Sequence, residues 1–377
     1  MLAGDMTNQI ATINPEFILA ARHDEELFYI LNKVNLAIPD GIGLKFAALA
    51  RGRIIHRLTG ADLIEFLLKI AERQNKKIAI INWQNGLSTK EDIAETLKNK
   101  YPKLVFQVIN CMRAENLSEE LVDRLNIFSP AILFCALGSP WQEKIIFYSL
   151  AKLSSVKIGL GIGGGFDFLT GRIKRAPKIF RALGLEWLWR LIKQPWRAKR
   201  IYHATIVFPY QFFLWQFITR FFYRKNVACL LFKKENNKTK ILLLLRADSN
   251  SHWQLPQGGI DRESLESAGC RELKEEIGTD KFVPVATFKN VHKYIWGDKL
   301  SKFGPLATQI WGYKGQKQGL FIGEFKGSDE DIKINFWEFQ NWKWVDMENF
   351  VDEIHDVRRE GAQKFLSKFK ETINSKS

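Results

Sequence analysis

The chain has 377 residues, 46% hydrophobic and 26% charged, with 28 Phe and 12 Trp. That is enough apolar material for two or three packed domains, and it excludes a disordered chain or a single small module. The formal net charge of +15 draws anions but does not choose among nucleic acid, acidic lipid headgroups and phosphorylated small molecules.

In chain order, the apolar runs KIAIINW (77–83), LVFQVI (104–109), AILFCALG (131–138) and VKIGLGIGG (156–164) alternate with helical patterns. A parallel α/β sheet is the expectation, with function on the loops at its strand ends. Leu63, Ile64, Phe66, Leu67 and Ile70 recur at helical spacing and predict a helix over 61–74. Between 172 and 200, ten Lys or Arg stand against one acid, Glu186, interleaved with Trp187, Trp189 and Trp196, which reads as a pair of basic aromatic helices. The apolar stretch 201–223 is interrupted by His203, Pro209, Gln211, Gln216 and Arg220. The leading expectation there is a membrane-interfacial helix, with a helix packed on the first domain and a true span as alternatives. Beyond it come strand-like NVACLLF and KILLLLR, a Gly-rich loop and a Glu-rich helix. The domain expectation is therefore 1–200, a linking or interfacial segment at 201–225, and 226–377. Cys111, Cys135, Cys229 and Cys270 stand singly, implying neither a disulfide framework nor a zinc site. The opening residues lack the pattern of a secretion signal, and a cytoplasmic protein is expected.

In the first domain, TINPEF (12–17), IPDGIG (38–43) and RLTGADL (57–63) are each ordinary turn chemistry when taken singly. Gly159, Gly161 and Gly164 satisfy GxGxxG, but they fall late in the domain and precede a basic, Trp-rich segment, so a dinucleotide site is rejected. Taken in order with ALGSPWQEK (136–144), GIGGGFDFLTGRIKRAP (161–177) and EWLWRLIKQPWRAKR (186–200), the set resembles the WecG/TagA/CpsF glycosyltransferases. The resemblance implies a Rossmann-like domain that transfers an N-acetylmannosamine-type sugar from a UDP-sugar to a polyprenyl-diphosphate-linked acceptor. It implies Asp40 as base, with Thr12, Asn14 and Gly41 beside the sugar and Gln142 and Glu143 near the nucleotide. Arg175, Arg190, Arg197 and Arg200 offer charge to the diphosphate, or equally to anionic lipid or to solubility. No DxD pattern occurs in this first domain, so no metal or other cofactor is expected there. The family usually has a further strand and helix before the position of Thr12.

In the second domain, Glu272, Glu275 and Glu276 stack three carboxylates on one helical face, a repulsive arrangement that either lies in solvent or collects cations. Gly258 and Gly259 lead in, Glu263 precedes Arg271 by eight residues, and Gly278 ends the helix. This spacing resembles the Nudix box, with one departure: four residues rather than five separate Gly258 from Glu263. WQLPQGGI (253–260), GQKQ (315–318) and WKWV (342–345) are similar to the RNA pyrophosphohydrolase and diadenosine polyphosphate hydrolase branch, although Gly319 and Leu320 replace the usual basic residue and Trp. The resemblance implies an α/β/α sandwich that cleaves a nucleoside polyphosphate or an RNA 5′ end. Glu272, Glu275 and Glu276 would hold Mg²⁺ or Mn²⁺, Arg271 would brace the helix, Gly258 and Gly259 would approach substrate, and Glu338 would serve as further ligand or base. The expectation is thus a bifunctional enzyme peripherally associated with the inner face of an anionic membrane. Against it stand two alternatives: a basic module that only delivers the hydrolase to membrane or RNA, and a Nudix domain that senses nucleotide-sugar without cleaving it.

Overall fold

Strand β3 (Ile78–Trp83) shows why its run is continuously apolar: Ile78 and Ile80 enter one core while Ala79 and Ile81 enter another. A strand covered on both faces has no polar side to display. In the computed structural model, which describes residues 6–56, 58–177, 179–180, 185–236, 238–295 and 313–375, β3 belongs to the first of two units, 1–211 and 212–377.

The first unit is an all-parallel sheet of β1 (Asn8–Ile13), β2 (Leu36–Pro39), β3, β4 (Phe106–Cys111), β5 (Ile132–Ala136) and β6 (Ile158–Gly161), in the order β2-β1-β6-β5-β3-β4. Helices α1 (Pro15–Ala21), α2 (Glu25–Lys33), α3 (Ile42–Leu49), α4 (Gly60–Arg73), α5 (Lys90–Lys100), α6 (Glu119–Phe128) and α7 (Trp141–Leu150) connect the strands, and α8 (Gly165–Leu169) follows β6. On one face α4 and α5 contribute Leu63, Leu67, Ile93 and Leu97; on the other, α6 and α7 contribute Leu125, Ile145 and Ile146. Helix α4 begins one residue before the predicted helix, because Thr59 caps it by accepting the Asp62 N–H. β1 and β2 lie outside the four predicted strands. β1 opens with buried Asn8 and Gln9, whose amide groups bond to backbone carbonyls, and β2 has only four residues.

The predicted basic helix pair is found in part. Its described residues form α9 (Glu186–Lys193), a 3₁₀ turn at Pro195–Arg197 and α10 (Ala198–Tyr202); residues 178 and 181–184, and Arg57 of RLTGADL, lie outside the described set. The apolar stretch is helical, with α11 (Phe208–Phe213) between two π-helical turns, and Ile206, Tyr210, Phe213 and Phe217 are exposed. Among the described residues no helix is long and apolar enough to cross a membrane.

The second unit is a mixed sheet in the order β11-β12-β7-β8-β13, formed by β7 (Tyr223–Glu235), β8 (Lys238–Arg246), β11 (Phe282–Ile295), β12 (Gly315–Phe325) and β13 (Phe339–Asp346). Short β9 (Trp253–Gln254) pairs with β8, and β10 (Gln257–Gly259) with β7. The β7–β12 pair is parallel and the others antiparallel. Helix α12 (Leu265–Ile277) packs on the face carrying Val227, Cys229 and Phe321. The opposite face, with Ala228, Leu230, Leu320 and Ile322, is covered by the short α13 (Phe350–Glu353) and by α14 (Arg359–Asn374). The result is the expected three-layer sandwich. Gly319 lets α12 approach, since a Cβ there would collide with Leu265.

Candidate active sites

In the first unit the C-terminal ends of the strands converge on a cleft of about 640 Å³, where a doubly wound sheet binds its ligands. Thr12 and Asn14 come from the end of β1, Asp40 from the end of β2, Trp83 from β3, Arg113 from the loop after β4, and Gly163 from the loop after β6; all line the cleft. Thr12 donates to the Gly161 carbonyl at 3.3 Å. Asn14 caps α1 with its side-chain oxygen, accepting the N–H groups of Glu16 (2.9 Å) and Phe17 (3.2 Å), so its amide nitrogen is the group left to a ligand. The Asp40 carboxylate accepts the Gly60 N–H at 3.4 Å. Gly41 follows at φ +115, a conformation side chains rarely adopt, and turns the chain into α3. Gly41 also lines a smaller adjoining pocket together with Asp40 and Arg197.

Of Gln142 and Glu143, expected together near the nucleotide, only Gln142 lines the cleft. The Gln142 side-chain oxygen accepts the N–H groups of Gly138 (3.1 Å) and Gly163 (2.8 Å), tying two cleft loops together. Glu143 accepts the Gln142 amide N–H at 2.6 Å beside Gly161, is 1% exposed and is not among the residues lining the cleft. Burial pushes its carboxyl up to about 8, against a hydrogen bond from Gln142. It is part of the support behind the cleft rather than a group that meets substrate.

The arginines divide as well. Arg175 binds Asp62 at 2.6 Å and Thr59 at 3.0 Å at the start of α4 and is not among the cleft residues. In this structure Arg175 braces the start of α4 through that ion pair. Arg190, Arg197 and Arg200 do line the cleft. Arg190 pairs with Glu186 (2.7 Å) and Arg200 with Glu16 (2.6 Å), whereas no carboxylate forms an ion pair with Arg197 among the described residues. Burial first, then Arg200 and Arg190, pull the Arg197 guanidinium down to about 10. Like charges gathered in a half-dry cleft favour an anion there.

Two features escaped the sequence reading. Arg113 is held between indoles, its guanidinium carbon 3.7 Å from the Trp83 ring centre and 4.7 Å from that of Trp141, and its Nε donates to the Leu137 carbonyl at 2.9 Å. Asp167 accepts both the N–H (3.1 Å) and the hydroxyl (2.7 Å) of Ser88 beneath the glycine loop. Neither lies in a contiguous motif that joins it to its partners.

In the second unit the chemistry sits on α12, capped by Ser264 and ended by Gly278 at φ +68. The three stacked carboxylates are not equivalent. Glu272 and Glu276 turn inward, 5% and 3% exposed. Glu272 lies against the Cα of Gly258, where any Cβ would strike it, and Glu276 accepts the Gln257 N–H at 3.1 Å. Glu275 is half-exposed and ion-paired with Arg271 at 3.1 Å. Arg271 also binds Glu272 (2.8 Å), Glu263 (2.7 Å) and the Gly259 carbonyl (2.8 Å), so the loop one residue short still delivers Glu263 to the helix. Burial opposes the charge of Arg271, but Glu263 and Glu272 outweigh it and hold the guanidinium above its ordinary range. Glu338, just before β13, accepts from the Asn335 side chain at 3.2 Å, and Asn335 in turn bonds to the backbone carbonyls of Glu275 (3.4 Å) and Glu276 (3.2 Å). Asn335 thus brings Glu338 to the end of the carboxylate helix.

Among the described residues, no three His, Cys, Asp or Glu side chains are already gathered around one point as a metal site would require. The donor set nevertheless fits a hard divalent cation: two buried carboxylates one helical turn apart, in a cradle that only glycine at 258 leaves open. Glu275 would complete it by giving up Arg271.

The chain belongs to the glycosyl transferase WecG/TagA/CpsF family, whose model matches residues 1–221, and a NUDIX domain follows at 222–369. Over 195 residues it is 33% identical to an N-acetylglucosaminyldiphosphoundecaprenol N-acetyl-β-D-mannosaminyltransferase of Bacillus subtilis (strain 168), covering 51% of this chain and 74% of that relative. Over 157 residues it is 38% identical to an RNA pyrophosphohydrolase of Wolbachia pipientis subsp. Culex pipiens (strain wPip), covering 40% of this chain and 91% of that relative. Among solved structures, an Ap4A hydrolase of C. elegans is 20% identical with a TM-score of 0.30, covering 39% of this chain and 98% of that one. The protein is an enzyme chain with a glycosyltransferase domain and a Nudix hydrolase domain.

Proposed function

We propose that the first unit transfers an N-acetylmannosamine-type sugar from a UDP-sugar to a polyprenyl-diphosphate-linked acceptor, and that the second hydrolyses a nucleoside polyphosphate or the 5′-triphosphate end of RNA with Mg²⁺. The observation that carries the transferase reading is the meeting, in one cleft, of Asp40 with Arg197, which forms no ion pair among the described residues. Asp40 takes the proton of the attacking acceptor hydroxyl, and Arg197, with Arg190 and Arg200, stabilises the departing diphosphate. Asn14 orients the sugar through its amide nitrogen, and Arg113 with its indoles offers a flat cationic surface to the base.

In the hydrolase domain, a bound divalent cation would neutralise the diphosphate and orient water. Glu272, Glu275 and Glu276 would hold it, and Arg271 fixes the loop against the helix. Glu338, steadied by Asn335, is the candidate to accept the proton of the attacking water. The exposed aromatic side chains from Tyr202 to Phe222 and the lysines and arginines of 186–200 support peripheral attachment to an anionic membrane at its inner face. The purified chain with Mg²⁺, screened against UDP-sugars plus lipid-linked acceptor, dinucleoside polyphosphates and triphosphorylated RNA, tests both activities. Release of UDP without a glycosylated lipid, or no phosphate product from any polyphosphate, sinks the corresponding half.

A further inference from the structure

Strand register in the second unit sets three lysines in one row. Lys293 of β11 pairs directly with Lys317 of β12, and Lys317 directly with Lys225 of β7. Neighbouring strands lie about 4.8 Å apart, so the three lysines stand side by side on the sheet, the Lys293 ammonium lying 4.2 Å from the Tyr223 ring centre, and like charges directly opposite one another weaken a sheet. Among the described residues none of the three forms an ion pair, although most other lysines of this unit's strands do. Their same-face neighbours two residues along are Tyr223, Val227, Gly315, Gly319 and Ile295, which supply no carboxylate. Lys225 and Lys293 are exposed and Lys317 is half-buried.

The row also has a direction. Val227 and Phe321 face α12, and by the two-residue period of a strand so do Lys225 and Lys317. Leu265, at the start of α12, packs over Gly319, two residues from Lys317. The Ile260 N–H bonds to the Lys225 carbonyl at 3.2 Å, so the row starts beside the Gly258–Gly259 loop and runs outward over β7 and β12 to the edge strand β11.

We propose that Lys225, Lys317 and Lys293 form a track for the phosphodiester backbone of a single-stranded nucleic acid whose 5′ end lies at the Glu272–Glu276 site. A mononucleotide has no phosphodiester backbone to lay along the row, whereas an RNA strand continues along it. The track rests on the hydrolase reading for its direction but is measured by binding alone.

The test uses the full chain carrying Glu276→Gln to prevent turnover, with and without Lys225→Gln, Lys317→Gln and Lys293→Gln together. Fluorescence anisotropy follows a 5′-triphosphorylated RNA of ~12 nucleotides, GTP, and anionic vesicles over a salt series. The expected result is RNA binding weakened by about 10- to 100-fold at low salt, with the salt slope reduced by about 2, as loss of three single-strand phosphate contacts requires. GTP binding should change by less than about twofold, and melting should not fall, because a like-charge row has been relieved. Unchanged RNA affinity and slope overturn the track. Equal loss for GTP and RNA assigns the lysines to the nucleotide site instead, and loss for vesicles with RNA retained makes the row a lipid surface; both overturn it. If RNA binding falls as expected but the chain with Glu276 intact cleaves no 5′-triphosphate, the track stands and the hydrolase reading fails.

Discussion

The two candidate sites are assembled in opposite ways. The hydrolase site is local: Gly258 to Gly278 supplies the loop, the brace and all three helical carboxylates. The transferase cleft is distributed, drawing Thr12, Asp40, Trp83, Arg113, Gln142 and Arg197 from strand ends and a basic segment far apart in the chain. A local site survives small changes in its surroundings, as the Arg271–Glu263 pair does across a loop one residue short. A distributed site depends on supports that never meet substrate, such as the Gln142 side chain between Gly138 and Gly163.

The largest effect that would separate the two is Asp40→Asn. Removal of a general base is expected to lower sugar transfer by about 10²- to 10⁴-fold, with polyphosphate hydrolysis unchanged in the same preparation; transfer within tenfold of the parent assigns the proton elsewhere. The mirror experiment is Glu276→Gln, for which hydrolysis should fall on the order of 10²-fold or more while transfer persists. Gln can still accept the Gln257 N–H, so the melting temperature should hold or rise as repulsion beside Glu272 is relieved. Unaltered hydrolysis at saturating Mg²⁺ removes Glu276 from the chemistry.

A smaller effect is expected at Arg113. Its alanine variant should raise KM for the UDP-sugar by about tenfold, the scale of a desolvated cation–π contact, with kcat nearly constant. A loss confined to kcat would make Arg113 a transition-state group instead.

The smallest effect is on stability. Burial raises the Glu143 carboxyl to about 8 from an unfolded value near 4.5. The folded state therefore keeps a proton that the unfolded chain gives up in between. Stability from this group is full below the unfolded value and is lost as pH rises through about 8. Glu143→Gln removes that dependence, so the variant should melt above the parent at pH 8–9 and close to it at pH 4. Parallel melting curves across that range would mean that Glu143 is ionised in the fold.

What could be read directly from the amino-acid order were features encoded within a few residues of one another. The apolar runs of β3 to β6, the Gly278 stop of α12 and the offsets of Glu272, Glu275 and Glu276 were all legible from local sequence. Two strands, β1 and β2, escaped because β1 opens on buried amides and β2 begins with exposed residues, which blurs the strand period. Tertiary structure alone decided which way adjacent side chains face and which distant groups meet. Gln142 and Glu143 are both buried and hydrogen-bonded to each other, yet only Gln142 ties two cleft loops together. Arg175 and Arg197 look alike in a basic run, yet Asp62 takes the first while no carboxylate pairs with the second among the described residues. Arg113 between Trp83 and Trp141, and the lysine row across β7, β12 and β11, exist only because strand order and register bring together residues far apart in sequence. Periodicity is a property of the local backbone, whereas register and side-chain partnership are settled by the packing of the whole unit.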